Sequence, residues 1–195
     1  MRDAEIERKT NETNIFTKIN LDGTGRSKIV TGIGFFDHML DQLASHSLID
    51  IEITAEGDLN IDDHHTIEDT GISLGNAIKI ALGDKIGIRR YGASLLPMDD
   101  ALIQSAIDIS GRPYLGFDLS FNAPKIGSLE TELIREFFHA FCSNSGITLH
   151  IKMISGINNH HIAEATFKSV AQSLRQAIET DARRASEIPS TKGVL

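Results

Sequence analysis

The pattern His-His-x-x-Glu occurs twice in this chain, as His64-His65-Thr66-Ile67-Glu68 and His160-His161-Ile162-Ala163-Glu164, with the copies 96 positions apart. Each copy follows turn residues, Asp62-Asp63 in one case and Asn158-Asn159 in the other, and each leads into apolar residues at helical spacing. The same chemistry set at the start of two similar helices is what duplication of a half-domain leaves behind. The chain is thereby constrained to a fold in which two equivalent units each present a helix N-terminus carrying imidazoles.

On a helix, neighbouring histidines point about 100° apart, whereas a His and a Glu four residues later share a face. His64 with Glu68, and His160 with Glu164, can each close on one ion, while His65 and His161 turn toward another. Imidazole and carboxylate together suit a borderline divalent ion such as manganese, iron, cobalt or zinc, and two copies of the motif point to a paired-metal site. The plainer reading makes adjacent histidines solvated surface residues or helix caps. Repetition weighs against it.

A chain of 195 residues holds one domain of ordinary size or two small, intimately packed halves, and 41% hydrophobic residues are enough to bury a core. The net charge of −8 and the lack of a long Lys/Arg run argue against a nucleic-acid surface. The single cysteine, Cys142, excludes an internal disulfide and a thiolate metal cluster, which fits a reducing compartment. No apolar core of a signal peptide opens the chain, and no apolar stretch approaches membrane-span length. The expectation is a soluble cytoplasmic protein with neither nucleic acid nor membrane as partner.

Ile15, Thr17, Ile19 and Leu21 alternate onto one face, with Phe16 the exception on the other, and predict a strand ending at Asp22-Gly23. A short strand is predicted near Lys28–Thr31, a helix through Phe35, Phe36, Met39, Leu40 and Leu43, and a strand through Ile49, Ile51, Ile53 and Ala55. The first His-His-x-x-Glu helix follows and stops near Gly83. In the second half, Ala101–Ser110 and Tyr114–Phe121 read as paired strands around Gly111-Arg112-Pro113, Leu129–Phe141 as a helix, Ile147–Ser155 as a strand, and the second motif opens a helix through Ile178. Ile51 and Ile147 each precede their motif by 13 residues. The prediction is an α+β fold of duplicated ββαβα half-domains, about 1–90 and 91–185, each a mixed sheet with helices packed on one face. The tail 186–195 is expected to lie outside the core, disordered or ordered by a ligand.

The duplication also pairs His38, in Phe35-Phe36-Asp37-His38, with Glu136, in Arg135-Glu136-Phe137-Phe138, once two loop residues are dropped from the second half. Taken alone, His38 is an ordinary helix residue; the repeat makes both positions candidate third ligands. His46 ends the same helix and is a candidate capping cation or substrate contact. Arg90, Arg112 and Lys192 are isolated cations beside glycine or turn residues. With the hydroxyls of Ser190 and Thr191 they would suit a phosphate. His150 alternates within a strand and reads as structural, and His139 has no evident partner in the sequence.

Together, Phe35-Phe36-Asp37-His38-Met39-Leu40, Asp62-Asp63-His64-His65-Thr66-Ile67-Glu68-Asp69, Ser110-Gly111-Arg112-Pro113-Tyr114, Asn159-His160-His161-Ile162-Ala163-Glu164-Ala165 and Ser190-Thr191-Lys192-Gly193-Val194-Leu195 resemble the imidazoleglycerol-phosphate dehydratases of histidine biosynthesis. The resemblance runs from about Arg8 to the C-terminus and implies a ribosomal protein S5 domain 2-like fold. It also implies a hydro-lyase making imidazole acetol phosphate, with two manganese ions per site, in an assembly of 24 subunits whose neighbours complete each site. Carried over, one metal takes His38, His65, His160 and Glu164, and the other His64, Glu68, His161 and Glu136. Position 136 departs from the His that many members carry, and Thr191 replaces a common Ser. The family's phosphate contacts match Arg90, Arg112, Ser190 and Lys192, and its substrate-binding acid matches Glu12, the first candidate for proton transfer. Two other classes fit the bare residues: a binuclear metal-dependent phosphatase, and an assembly protein whose histidines glue subunits together through metal.

Overall fold

The computed structural model describes residues 2–195. The first half runs β1 (Asp3–Lys9), β2 (Thr13–Asn20), β3 (Ser27–Val30), α1 (Gly34–Ser47), β4 (Asp50–Gly57) and α2 (His64–Leu82). The second runs β5 (Tyr91–Met98), β6 (Ala101–Asp108), β7 (Tyr114–Asp118), the short strands β8 (Lys125–Ile126) and β9 (Leu129–Glu130), then α3 (Glu132–Ser145), β10 (Thr148–Ser155) and α4 (Asn159–Ile178). Leu129, expected in the helix, therefore belongs to a two-residue strand in front of it.

The sheets are ordered β1-β2-β4-β3 and β5-β6-β10-β7. In each, the last pair is parallel and the others antiparallel. This is the duplicated mixed-sheet fold expected, with one additional edge strand per half, β1 and β5. The strands around Gly111-Arg112-Pro113 do not pair with each other, as β10 lies between β6 and β7. The equal spacing of Ile51 and Ile147 from their motifs is not structural equivalence either. Ile51 stands opposite Ile19, and it is Leu149 that stands opposite Ile107.

Alternation along the strands decides what lies inside. Ile15, Thr17 and Ile19 of β2 and Ile103, Ser105 and Ile107 of β6 are buried, and face helices. α2 packs on β1 and β2, α4 on β5 and β6, and the helices meet as α1 on α4 and α2 on α3. All four helices thus lie between the two sheets, around an aromatic centre in which Phe137 stacks on Phe167 at 5.4 Å and meets Phe36 edge-on at 5.3 Å. Buried hydroxyls repeat across the halves: Ser73 donates to Thr17 at 2.9 Å, and Ser105 lies 2.8 Å from Ser169. Each ties the motif-bearing helix to the middle of its sheet.

The α2–α3 contact depends on Gly71, where a Cβ would sit 2.7 Å from the Phe137 carbonyl oxygen and 3.0 Å from Ala140 Cβ. Alanine is the better helix former by about 1 kcal/mol. A methyl pressed onto the main chain of a packed helix costs about 1–3 kcal/mol, so the clash outweighs the propensity. Gly71→Ala should lower the thermal unfolding midpoint. A midpoint unchanged or raised would show that the two helices separate freely here.

Candidate metal centre

The α1–α4 crossing sets His38 beside the first turn of α4. His38 Nε2 lies 3.1 Å and His160 Nε2 3.0 Å from the same oxygen of Glu164, Oε2. Two imidazoles and one carboxylate thereby offer atoms within 4.8 Å of one another, and among the described residues no other group of three donors does so. Phe35 closes one side, its ring edge-on to His160 at 5.2 Å. Glu164 is buried, which pushes its carboxyl up, but donors from Lys168, His38 and His160 outweigh burial and hold it at about 2. Lys168, one turn further along α4, reaches the other oxygen, Oε1, at 2.6 Å. One lobe of the carboxylate is thus anchored and the other faces the imidazoles.

His46 lies on the same side. Burial and then the charge of Lys168 lower its proton affinity. On α2, His64 Nε2 and Glu68 Oε2 share a face at 3.8 Å. His65 is held by its Nδ1, which lies 3.0 Å from Asp58, and its Nε2 is 3.9 Å from Glu12 Oε1. His161 is held likewise, with Nδ1 2.5 Å from Asp100 and Nε2 3.5 Å from Asp99. A carboxylate on one ring nitrogen fixes the tautomer and raises the basicity of the other, the usual arrangement behind a metal-ligating histidine. Asn158 caps α4 by accepting from the amides of His160 and His161, and Asp62 accepts from the amide of His64. Glu136 lies on α3, and its carboxylate accepts from Arg135 at 2.9 Å rather than from the α2 ligands.

The remaining candidates gather where the tail crosses the second sheet. Arg90, whose φ of 73° puts it in the left-handed region, donates to Asp108 at 2.7 Å and to the Pro189 carbonyl at 2.9 Å. Arg90, Arg184, Ser190 and Thr191 line a cavity of about 420 Å³. Arg112 approaches the other oxygen of Asp108 at 3.8 Å and is 70% exposed, free to meet an anion. Lys192 follows the Ser190 turn, its amide donating to Ser190 Oγ. Protein contacts along the tail include Lys85 donating to the Leu195 carbonyl at 3.4 Å.

Sequence reading missed Asp58, Asp100, Asp108 and Lys168. Lys168 carried a signal, since it stands four residues after Glu164 on the same helical face. The three aspartates did not, because each acts on a residue of another element.

The family model of imidazoleglycerol-phosphate dehydratase matches residues 31–174. A protein of that description from Cereibacter sphaeroides is 64% identical over 195 residues, all of both chains, and one from Roseobacter denitrificans is 62% identical over the same span. Among solved structures, the dehydratase of Staphylococcus aureus is 38% identical with a TM-score of 0.84, covering 92% of this chain and 99% of its own. That of Pyrococcus furiosus is 37% identical, also with a TM-score of 0.84, covering 97% and 100%. The chain belongs to the imidazoleglycerol-phosphate dehydratase family.

Proposed function

We propose that the chain dehydrates D-erythro-imidazole glycerol phosphate to imidazole acetol phosphate and water in histidine biosynthesis, using two manganese ions per site. The convergence of His38, His160 and Glu164 carries this reading. The donor set fits a borderline divalent ion, and His65 and His161, oriented through Nδ1, keep Nε2 for ligation. One ion would be held by His38, His65, His160 and Glu164, the other by His64, Glu68, His161 and Glu136. Only three donors of the first set meet within one chain, while His65 turns to Asp58 and Glu12. This supports sites completed by neighbouring copies in a homo-oligomer, as in the 24-subunit assembly the resemblance implies.

The reaction removes a proton from a carbon that has no carbonyl beside it and expels hydroxide from the neighbouring, ring-bearing carbon. The imidazole ring must therefore supply the electron pair that leaves with hydroxide, and regain a pair as the C–H proton is taken and the enol double bond forms. The resulting enol then becomes the ketone. Bound manganese supplies Lewis acidity and a template. Glu12 Oε1 is the proton-transfer atom, half-exposed on the β1–β2 turn beside His65. Arg90, Arg112, Ser190, Thr191 and Lys192 take the phosphate, and that remote binding energy positions the reacting carbon. His46 and Lys168 border the metal donors and contact substrate there.

Incubation of the manganese-loaded protein with imidazole glycerol phosphate, followed in alkali at the absorbance of the enolised ketone, should give ketone with the phosphoester intact. Inorganic phosphate without ketone would make the chain a binuclear phosphatase. No turnover by folded, metal-loaded protein would favour an assembly role.

A further inference from the structure

The two hairpin turns end in carboxylates at equivalent places: Glu12 just before Thr13 opens β2, and Asp100 just before Ala101 opens β6. In the second half that carboxylate is committed. Asp100 holds His161 Nδ1 at 2.5 Å and accepts from the amides of Ile157 and Asn158. In the first half the same duty falls to Asp58, 3.0 Å from His65 Nδ1, and Glu12 stands on the opposite, Nε2 side of that ring, the side that Asp99 rather than Asp100 takes on His161. The residue before Asp58 and its counterpart are glycines under the first helical turn, Gly57 against Thr66 and Gly156 against Ile162. Ile157 therefore occupies the place of Asp58 in the second half. A carboxylate arriving from the neighbouring loop has released Glu12 from orienting a histidine.

A released carboxylate on an exposed turn needs another anchor. The Glu12 amide donates to Thr10 Oγ1 at 3.1 Å, Thr10 Oγ1 lies 3.2 Å from Thr13 Oγ1, and Thr13 Oγ1 donates to Asp69 Oδ2 at 2.5 Å. Asp69 Oδ1 accepts from Arg8 at 2.8 Å. The direction of this chain is fixed, because an ionised carboxylate only accepts. Thr13 spends its hydrogen on Asp69 and Thr10 spends its own on Thr13, which leaves the Thr10 lone pairs for the amides of Glu12 and Thr13.

The second half shows what the scaffold needs at these places. Ile15 stands opposite Arg8, and its counterpart Ile103 opposite Leu96. Asp69 follows His65 by four residues as Ala165 follows His161. Arg8, Thr13 and Asp69 are thus Leu96, Ala101 and Ala165 in the other copy. Asp69 is only 6% exposed, and a buried ion pair is seldom more stabilising than an apolar set of similar volume. Stability does not account for a polar network that the duplicate replaces with hydrocarbon.

We propose that Arg8, Thr13 and Asp69 are positioning residues that hold the Glu12 turn against α2, so that Glu12, freed by Asp58, keeps its place for proton transfer. The proposal rests on the reading of Glu12 given above. Thr13→Val removes the relay at constant shape, and the triple variant Arg8→Leu, Thr13→Ala, Asp69→Ala installs the residues of the second half. In the assembled, manganese-loaded enzyme both should keep their metal content and particle size, lower kcat about tenfold or more and leave KM within about twofold. Thr13→Ser should restore kcat, and neither change should slow a Glu12→Gln enzyme further. Full kcat in Thr13→Val and the triple variant, with Glu12→Gln slow, overturns the positioning role alone. An equal loss with and without Glu12, or loss of metal or assembly in both variants, overturns it as well, by making the network structural. Near-normal kcat in Glu12→Gln removes the role of Glu12 and the proposal with it.

Discussion

Complete chelation of divalent metal should abolish ketone formation, and manganese should restore it. Lewis-acid stabilisation by a bound ion contributes several kcal/mol to a transition state, so the loss is expected to be about 10³-fold or more. His160→Ala should give the same result by another route. It removes one of three donors that converge on a single space and leaves Glu164 with His38 and Lys168. Elemental analysis of the purified variant would show the deficit of metal, and added manganese should recover little turnover. Because ligation and assembly are coupled where a site is built from several chains, chelation should also shift the particle to smaller species in size-exclusion chromatography. Turnover that survives complete chelation would falsify the metal-dependent mechanism. Dissociation without any turnover in the loaded state would instead support metal as glue.

The duplication was legible because chemistry repeats more conspicuously than hydrophobic pattern does. His-His-x-x-Glu stands at the start of both α2 and α4, and the inner strands β2, β4, β6 and β10 alternate because one face of each is buried. The edge strands β1 and β5 escaped for physical reasons. β1 has one strand neighbour and only Ala4 buried, so Glu5, Glu7, Arg8 and Lys9 read as a polar terminus. β5 contains Gly92 and Pro97, both signals against a strand, and Pro97 is tolerated because an edge strand can spare an amide. Missing β5 meant missing its hairpin with β6, and with it the turn that delivers Asp100 to His161.

In the candidate site, the His–Glu pairs set by helical period were legible within each motif, since His64–Glu68 and His160–Glu164 depend only on the rise of one helix. His38 was singled out because it has a partner in the repeat, and the structure sets it on Glu164. Glu136 was singled out by the same argument, and its carboxylate lies on Arg135. Orientation was not legible. Asp58, Asp100 and Asp108 each fix a side chain that reaches them across a loop or a sheet, and no spacing in the sequence encodes such a contact.

Glu12→Gln should cut turnover at least about a hundredfold while manganese content stays intact, the effect expected when a general acid–base group is removed and its shape kept. The geometry makes the substitution a clean one. Glu12 is 54% exposed, and its side-chain neighbour on the site is His65 Nε2 at 3.9 Å, too far for a hydrogen bond that the fold requires. The turn itself is held by main-chain groups: the Glu12 amide donates to Thr10 and its carbonyl accepts from the Asp58 amide at 3.1 Å. Glutamine leaves those bonds in place and removes only the capacity to take up and release a proton at Oε1. His65 stays oriented by Asp58 in the variant, so its metal should stay too. Single-turnover measurement with the metal-loaded variant separates chemistry from binding. A slow chemical step with unchanged substrate affinity places the proton on Glu12. Near-normal turnover would move that role to Glu68 or Glu164, the other carboxylates among the motif residues.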